Sequence, residues 1–189
     1  VTKALGTQLP SAIAGLLDGR DLASREGLLL LLITAAEDGQ LHVAMLSVGE
    51  VVAMDPGRLR LALWPRSTSV QHLEARGRGL LYLVADGAGY AIDVRATAVG
   101  ELREDGIHAA VFEAVINEVR EDRVTYAELT EAPSFRLVNR ERELARWRRT
   151  VDAMQRLPGE VPSAPSAPPT SPPDSAPDSA PTSTAEAPE

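Results

Sequence analysis

Arg66, Ser67, Thr68 and Ser69 are the residues in this chain whose types and spacing could do chemistry. One cation and three hydroxyls sit together just where an apolar run ends and a short helix is expected to begin. Free N–H groups in the first turn of a helix carry partial positive charge, and a guanidinium can grip a phosphate with two parallel hydrogen bonds. The chemistry this group offers is anion binding, above all of a phosphate. Ser and Thr are also what an ordinary helix start uses as caps, so the same residues serve a purely structural reading.

The elements that must position this group can be read outward from it. Leu59, Leu61 and Leu63 alternate as a strand that runs into Pro65, and the helix spans about Thr68 to Ala75. Upstream, Glu50 to Met54 reads as a strand, and Asp55-Pro56-Gly57 reads as a type II turn that pairs it antiparallel with the Leu59 strand. Leu28 to Thr34 and Leu41 to Ser47 flank Asp38-Gly39, a hairpin signal in which both turn residues can take positive φ. Downstream, Gly77 and Gly79 precede a strand at Leu80 to Val84, and Gly87-Ala88-Gly89 turns into a long strand from Tyr90 to Leu102. Six strands in quick succession indicate a small antiparallel barrel or sandwich.

Helices frame these strands. Leu9 to Gly19 reads as a short N-terminal helix with Ile13, Leu16 and Leu17 on one face. Ile107, Ala110, Val111, Ala114, Val115 and Val119 recur at helical spacing, which predicts an amphipathic helix over Gly106 to Arg120. Ser134 to Val138 could supply a last strand. Leu144, Trp147, Val151 and Met154 mark one face of a C-terminal helix, for core packing or a subunit interface.

Composition excludes several function classes. With no cysteine in 189 residues there is no disulfide, thiolate nucleophile or thiolate metal site, and His42, His72 and His108 have no zinc-ligand spacing. The net charge of −8 comes mostly from Glu160, Asp174, Asp178, Glu186 and Glu189, leaving about −3 on the body, and the Arg140 to Arg149 run is balanced by Glu141 and Glu143. No nucleic-acid partner is expected. The longest apolar run, Leu28 to Ile33, is too short to span a bilayer, and the start carries no signal-peptide pattern, so no membrane association and a cytoplasmic protein are expected. Residues 1–158 read as one domain. Residues 159–189, rich in Pro, Ser, Ala and acid, read as a disordered tail that improves solubility, with Pro168-Pro169 and Pro172-Pro173 as weak polyproline hints.

The ordered set of "DGQLHVAML", "DPGRLRLALW", a Ser/Thr-rich helix start, "GLLYLVADG" and a long strand resembles the pyridoxamine 5'-phosphate oxidase-like family of split β-barrel flavoproteins, over about Leu28 to Leu102. The resemblance implies a mainly β (α+β) fold: an antiparallel six- to seven-stranded split β-barrel with flanking helices. It implies a homodimer with FMN in clefts between the barrels. Arg66, Ser67, Thr68 and Ser69 match the segment that holds the FMN phosphate. Met45, Leu46 and Ser47 match the strand facing the isoalloxazine ring, and Trp64 matches the end of the strand leading to the phosphate segment. Two departures stand out: Ser69 occupies a region where many members carry a lysine, the only lysine here being Lys3, and the C-terminal arginine and histidine pattern of true pyridoxamine phosphate oxidases is not recognisable in residues 135–141.

The function implied is a flavin-dependent oxidoreductase acting on a small molecule other than pyridoxamine phosphate. A split barrel binding a deazaflavin or haem, and a cofactor-free dimeric binding module, are the alternatives. No side chain demands a catalytic role; His42 and His72 could transfer a proton near the site, but each reads first as a structural or surface histidine.

Overall fold

The computed structural model of the chain describes residues 2–104, 106–124, 126, 127, 129 and 132–158, so the tail expected at 159–189 lies outside the described residues. The elements, in order, are β1 (Thr2–Gly6), α1 (Ser11–Leu16), β2 (Leu30–Ala35), β3 (Leu41–Leu46), β4 (Val51–Asp55), β5 (Arg58–Leu63), α2 (Thr68–Arg76), β6 (Arg78–Ala85), β7 (Ala88–Glu104), β8 (Ile107–Asp122) and α3 (Arg140–Arg156). The strands form one antiparallel sheet in the order β3-β2-β6-β7-β8-β5-β4, with β1 added on β8. This is the mainly β split barrel with flanking helices that the sequence implies, extended by β1.

The largest departure lies at Gly106 to Arg120, where the expected amphipathic helix is the long strand β8. It pairs with β7 along one edge and with β5 and then β1 along the other, and both its faces are covered: Ala109 to Ala114 are all buried. A strand covered on both sides loses the apolar/polar alternation that identifies strands, and its apolar residues then coincide with a helical period. Val111, Val115, Ile116 and Val119, all β-branched, suit the pleated surface.

Turns hold smaller corrections. Between β2 and β3 only Gly39 takes positive φ (88°); Gly39 N–H donates to the Ala36 carbonyl (3.0 Å), and Asp38 instead accepts from the Gln40 N–H through its side chain (3.0 Å). The two-residue turn with positive φ at both positions is Asp86-Gly87 (50° and 70°), joining β6 to β7. Gly57 does not take the positive φ that a type II turn requires, because Asp55 Oδ1 accepts the Gly57 N–H (2.8 Å) and closes the β4–β5 turn by itself.

Residues 134–138 are not a strand. Phe135 and Leu137 still point inward and pack on the core, so the alternation is real but has no partner strand. The helix expected at Leu9 to Gly19 is confined to α1. On α3, Leu144, Trp147, Val151 and Met154 are all buried, so that face is core packing. Each buried aliphatic or aromatic side chain of this kind contributes about 1.5–3 kcal/mol. Met154 and Leu157 also offer their carbonyls to Arg60, which reaches them from inside the barrel (Nη1 to Leu157 O, 2.7 Å) and so ties the end of α3 to β5.

Candidate functional site

β5 ends at Leu63, and Trp64-Pro65-Arg66-Ser67 form a turn in which the Ser67 N–H donates to the Trp64 carbonyl (3.1 Å). Pro65 stands second, and Arg66 third with φ of +63°, the pattern of a type II turn. A side-chain-bearing residue in the left-handed region costs about 1–2 kcal/mol. Arg66 is exposed and makes no ion pair among the described residues, so its guanidinium is available at the mouth of the helix.

Ser67 does the ordinary work of a cap: its Oγ accepts from the Val70 N–H (3.3 Å). Thr68 and Ser69 supply the first N–H groups of α2, which have no acceptor within the helix. Ser69 is different from its neighbours. It is 2% exposed, and its Oγ is the one buried side-chain polar atom without a hydrogen-bond partner among the described residues. An unsatisfied buried hydroxyl costs about 1–3 kcal/mol, so its presence at a helix start calls for a partner.

Ser69 itself lines a cleft of about 130 Å³ whose walls come chiefly from three elements. β3 contributes His42, Ala44, Met45 and Leu46; the β5 end contributes Ala62, Leu63 and Trp64; the start of α2 contributes Ser67 and Ser69; Glu50 closes one end. Of the residues marked in the sequence, Met45, Leu46, Trp64, Ser67 and Ser69 therefore meet in one place. Arg66 and Thr68 sit outside the lining, exposed beside it. Ser47 is buried and turned to the neighbouring chamber, with its Oγ and N–H both donating to Glu50 Oε2 (2.8 Å each).

Glu50 was not singled out by sequence reasoning, although Ser47-Val48-Gly49-Glu50 carries the Ser-x-x-Glu spacing in which a carboxylate reaches back to the N–H of the serine. His42 is held in place indirectly. Thr34 pairs with it across β2 and β3, Thr34 Oγ1 lies 3.1 Å from His72 Nδ1, and the two imidazoles meet edge to face with centroids 6.1 Å apart. Lys3 lies on β1 opposite Glu121 and does not line the cleft.

Two apolar residues of the cleft lining are uncovered, Met45 at 74% and Trp64 at 69% exposed, and Leu41 and Val43, on the same face of the end strand β3 as Met45, are 70% and 54% exposed. Behind them on the same face, Leu31, Ile33, Leu80 and Tyr82 are only half-buried. Among the described residues no helix is long and apolar enough to cross a membrane.

No protein-family model matches the chain. It is 30% identical over 141 residues to YclD of Bacillus subtilis (strain 168), a protein of uncharacterised function, and the match covers 75% of this chain and 92% of YclD. The chain belongs to the YclD family. Its fold is similar to a Lactobacillus delbrueckii protein provisionally described as a pyridoxamine 5'-phosphate oxidase, with a TM-score of 0.50 at 16% identity over 62% of this chain and 98% of that one. An FMN-binding protein from Syntrophomonas wolfei is similar at a TM-score of 0.41 and 16% identity, covering 58% of this chain and 88% of that chain. The architecture of this YclD relative is thus the split barrel of the pyridoxamine 5'-phosphate oxidase-like proteins, as the sequence resemblance implied.

Proposed function

We propose that the chain is an FMN-binding homodimer that acts as a flavin-dependent oxidoreductase on a small molecule. The observation that carries this reading is the orphaned Oγ of Ser69, a buried residue at the start of α2 that lines the cleft. A phosphate there would accept from Ser69 Oγ, from the Ser67 hydroxyl proton and from the N–H groups of Thr68 and Ser69, with Arg66 folding over it from the rim. No lysine is needed in such a set, which accounts for the serine at position 69. Met45, Leu46 and Trp64 would offer the apolar wall that a flat ring requires.

FMN supplies hydride or electron transfer when bound, and the chain's own residues hold it, orient it and keep water away. One chain does this incompletely. A cleft of about 130 Å³ is smaller than the roughly 300–1,000 Å³ of ordinary ligand pockets, and its lining includes the exposed Met45 and Trp64, Met45 being the end of the apolar face of β3. A second copy packed on that face would bury Leu41, Val43 and Met45 and wall in the cleft. The proposal includes a cytoplasmic site of action, where reduced nicotinamides that recharge flavins are generated.

Ser69 in place of lysine also favours a second reading, a phosphate-bearing deazaflavin in the same cleft. The visible spectrum of the purified protein, taken after incubation with FMN and removal of the excess, tests the first reading. A flavin spectrum near one per chain supports it, and a colourless protein overturns it in favour of the second.

A further inference from the structure

Beside the cleft, and sharing Met45, Leu46 and Glu50 with it, lies a second chamber of about 230 Å³ between the end of β3 and α3. Its walls are chiefly apolar: Leu29 from the approach to β2, Phe135 and Leu137 from the segment before α3, and Trp147, whose ring meets Phe135 edge to face at 6.2 Å. A cavity of about 150 Å³ holds benzene, so this one has room for two fused rings. Arg146 lines it too, on the border with the recess that holds Trp64, Ile107 and Thr150. Arg146 donates through Nε to Glu143 Oε2 (2.7 Å) on its own helix, and its two terminal nitrogens have no partner among the described residues. A half-buried guanidinium with both terminal N–H groups free is suited to a carboxylate taken end-on.

The charges nearby limit what that ligand can be. Glu143 holds one side of Arg146, and the Glu50 carboxylate lines the same chamber with its Oε2 committed to Ser47. A dianion such as a phosphate monoester would add two negative charges beside two carboxylates and one guanidinium, whereas a monocarboxylate adds one and can place it on the two free terminal nitrogens of Arg146. The geometry points to this chamber as the substrate site, and to a flat, apolar monocarboxylate as the substrate class, its rings between Leu137 and Trp147 and its carboxylate on Arg146. The assignment of this ligand as substrate rests on the flavin reading of the adjoining cleft; the existence of the carboxylate site does not.

The test is calorimetric titration of the full chain, with and without FMN, using 2-naphthoate and its uncharged counterpart 2-naphthamide. Naphthoate is expected to bind about tenfold or more tighter than naphthamide, and Arg146→Gln is expected to abolish that preference while leaving FMN affinity unchanged, the scale of one charged hydrogen bond. Equal binding of the two probes, or an Arg146→Gln protein that keeps the preference, overturns the proposal. Should Arg146→Gln not fold, Leu137→Trp fills the chamber instead. It is expected to lose naphthoate and retain FMN, and naphthoate binding at full strength would overturn the assignment. If the chain takes up no FMN, the flavin reading falls, while an Arg146-dependent preference for naphthoate on that same chain still supports the carboxylate site.

Discussion

Arg60 and Glu113 stand directly opposite each other on β5 and β8 and form an ion pair inside the barrel, with Nη2 3.1 Å from Oε2 and the two side chains 2% and 3% exposed. Arg60 extends past this partner to the carbonyls of Met154 and Leu157, so one guanidinium joins two strands to the end of α3. Removing the Glu113 charge leaves Arg60 buried with carbonyl acceptors alone, whereas removing Arg60 leaves Glu113 with Arg58, whose Nη1 lies 3.4 Å from Oε1. Glu113→Gln is expected to lose about 3–5 kcal/mol in urea denaturation and Arg60→Met less, because Glu113 keeps this second partner. Since a well-packed apolar pair can replace a buried ion pair, Arg60→Met combined with Glu113→Leu should recover part of that loss; a double variant as unstable as the sum of the singles would contradict this account.

Gly49 lies in the turn that carries Glu50, and its Cα faces Trp147 so closely that an added Cβ would stand 2.1 Å from the indole Cγ. Trp147 is 1% exposed and has nowhere to move. Gly49→Ala is expected to destabilise the fold by about 1–3 kcal/mol and to perturb the near-ultraviolet signal of Trp147, as overpacked cores do. Thermal melts indistinguishable from the parent protein would show that α3 can shift outward.

Acid sensitivity should be traceable to Asp55. Burial pushes its carboxyl up, but the hydrogen bond from Arg58 (Nε to Oδ2, 2.7 Å), the Gly57 N–H and the Arg58 charge outweigh this and hold it below its ordinary 3.8. With the folded value depressed, the unfolded chain takes up the proton first. The stabilisation is therefore complete above the ordinary value and is lost as pH falls through the folded one. Asp55→Asn keeps the acceptor for Gly57 and loses the ion pair, so its stability should decline less than the parent's between about pH 5 and pH 3. Parallel declines in the two proteins would place the sensitivity elsewhere, Asp18 beside Arg25 and Glu101 beside Arg103 being the other carboxyls held below their ordinary values by an arginine.

Val43 sits in the middle of the exposed β3 row, between Leu41 and Met45. Val43→Glu puts a charge into the proposed dimer face without touching the core. Sedimentation velocity should find the parent protein dimeric and the variant monomeric, and the variant should bind FMN more weakly because the cleft loses its outer wall. A monomeric parent, or a dimer that survives the substitution, would remove the second copy from the site.

Much of the scaffold around the site was readable because local rules and tertiary context agree there. Leu59, Leu61 and Leu63 alternate, Pro65 stops the strand, and Ser67 caps α2, so strand, turn and helix were each marked by their own residues. β8 was not readable because the sheet buries both of its faces and erases the period of two. Arg60 and Glu113 carry no motif that singles them out, and only the register of β5 on β8 brings them together inside. The type II turn belonged to Pro65-Arg66 and not to Pro56-Gly57, since the Asp55 side chain had already closed the latter. Ser69 was marked for its hydroxyl, but that its Oγ lacks a partner depends on what packs around it, which no spacing rule reports.

The most direct test of the phosphate site compares FMN with riboflavin, which differs only in lacking the phosphate, by fluorescence titration of the parent protein, Arg66→Ala and Ser69→Ala. The account predicts that the parent binds FMN at least about tenfold tighter than riboflavin. Each variant should lose about 1.5–3 kcal/mol of FMN binding and little of riboflavin binding. FMN and riboflavin bound equally by all three proteins would contradict it, and would return Arg66 to Ser69 to the status of an ordinary helix start.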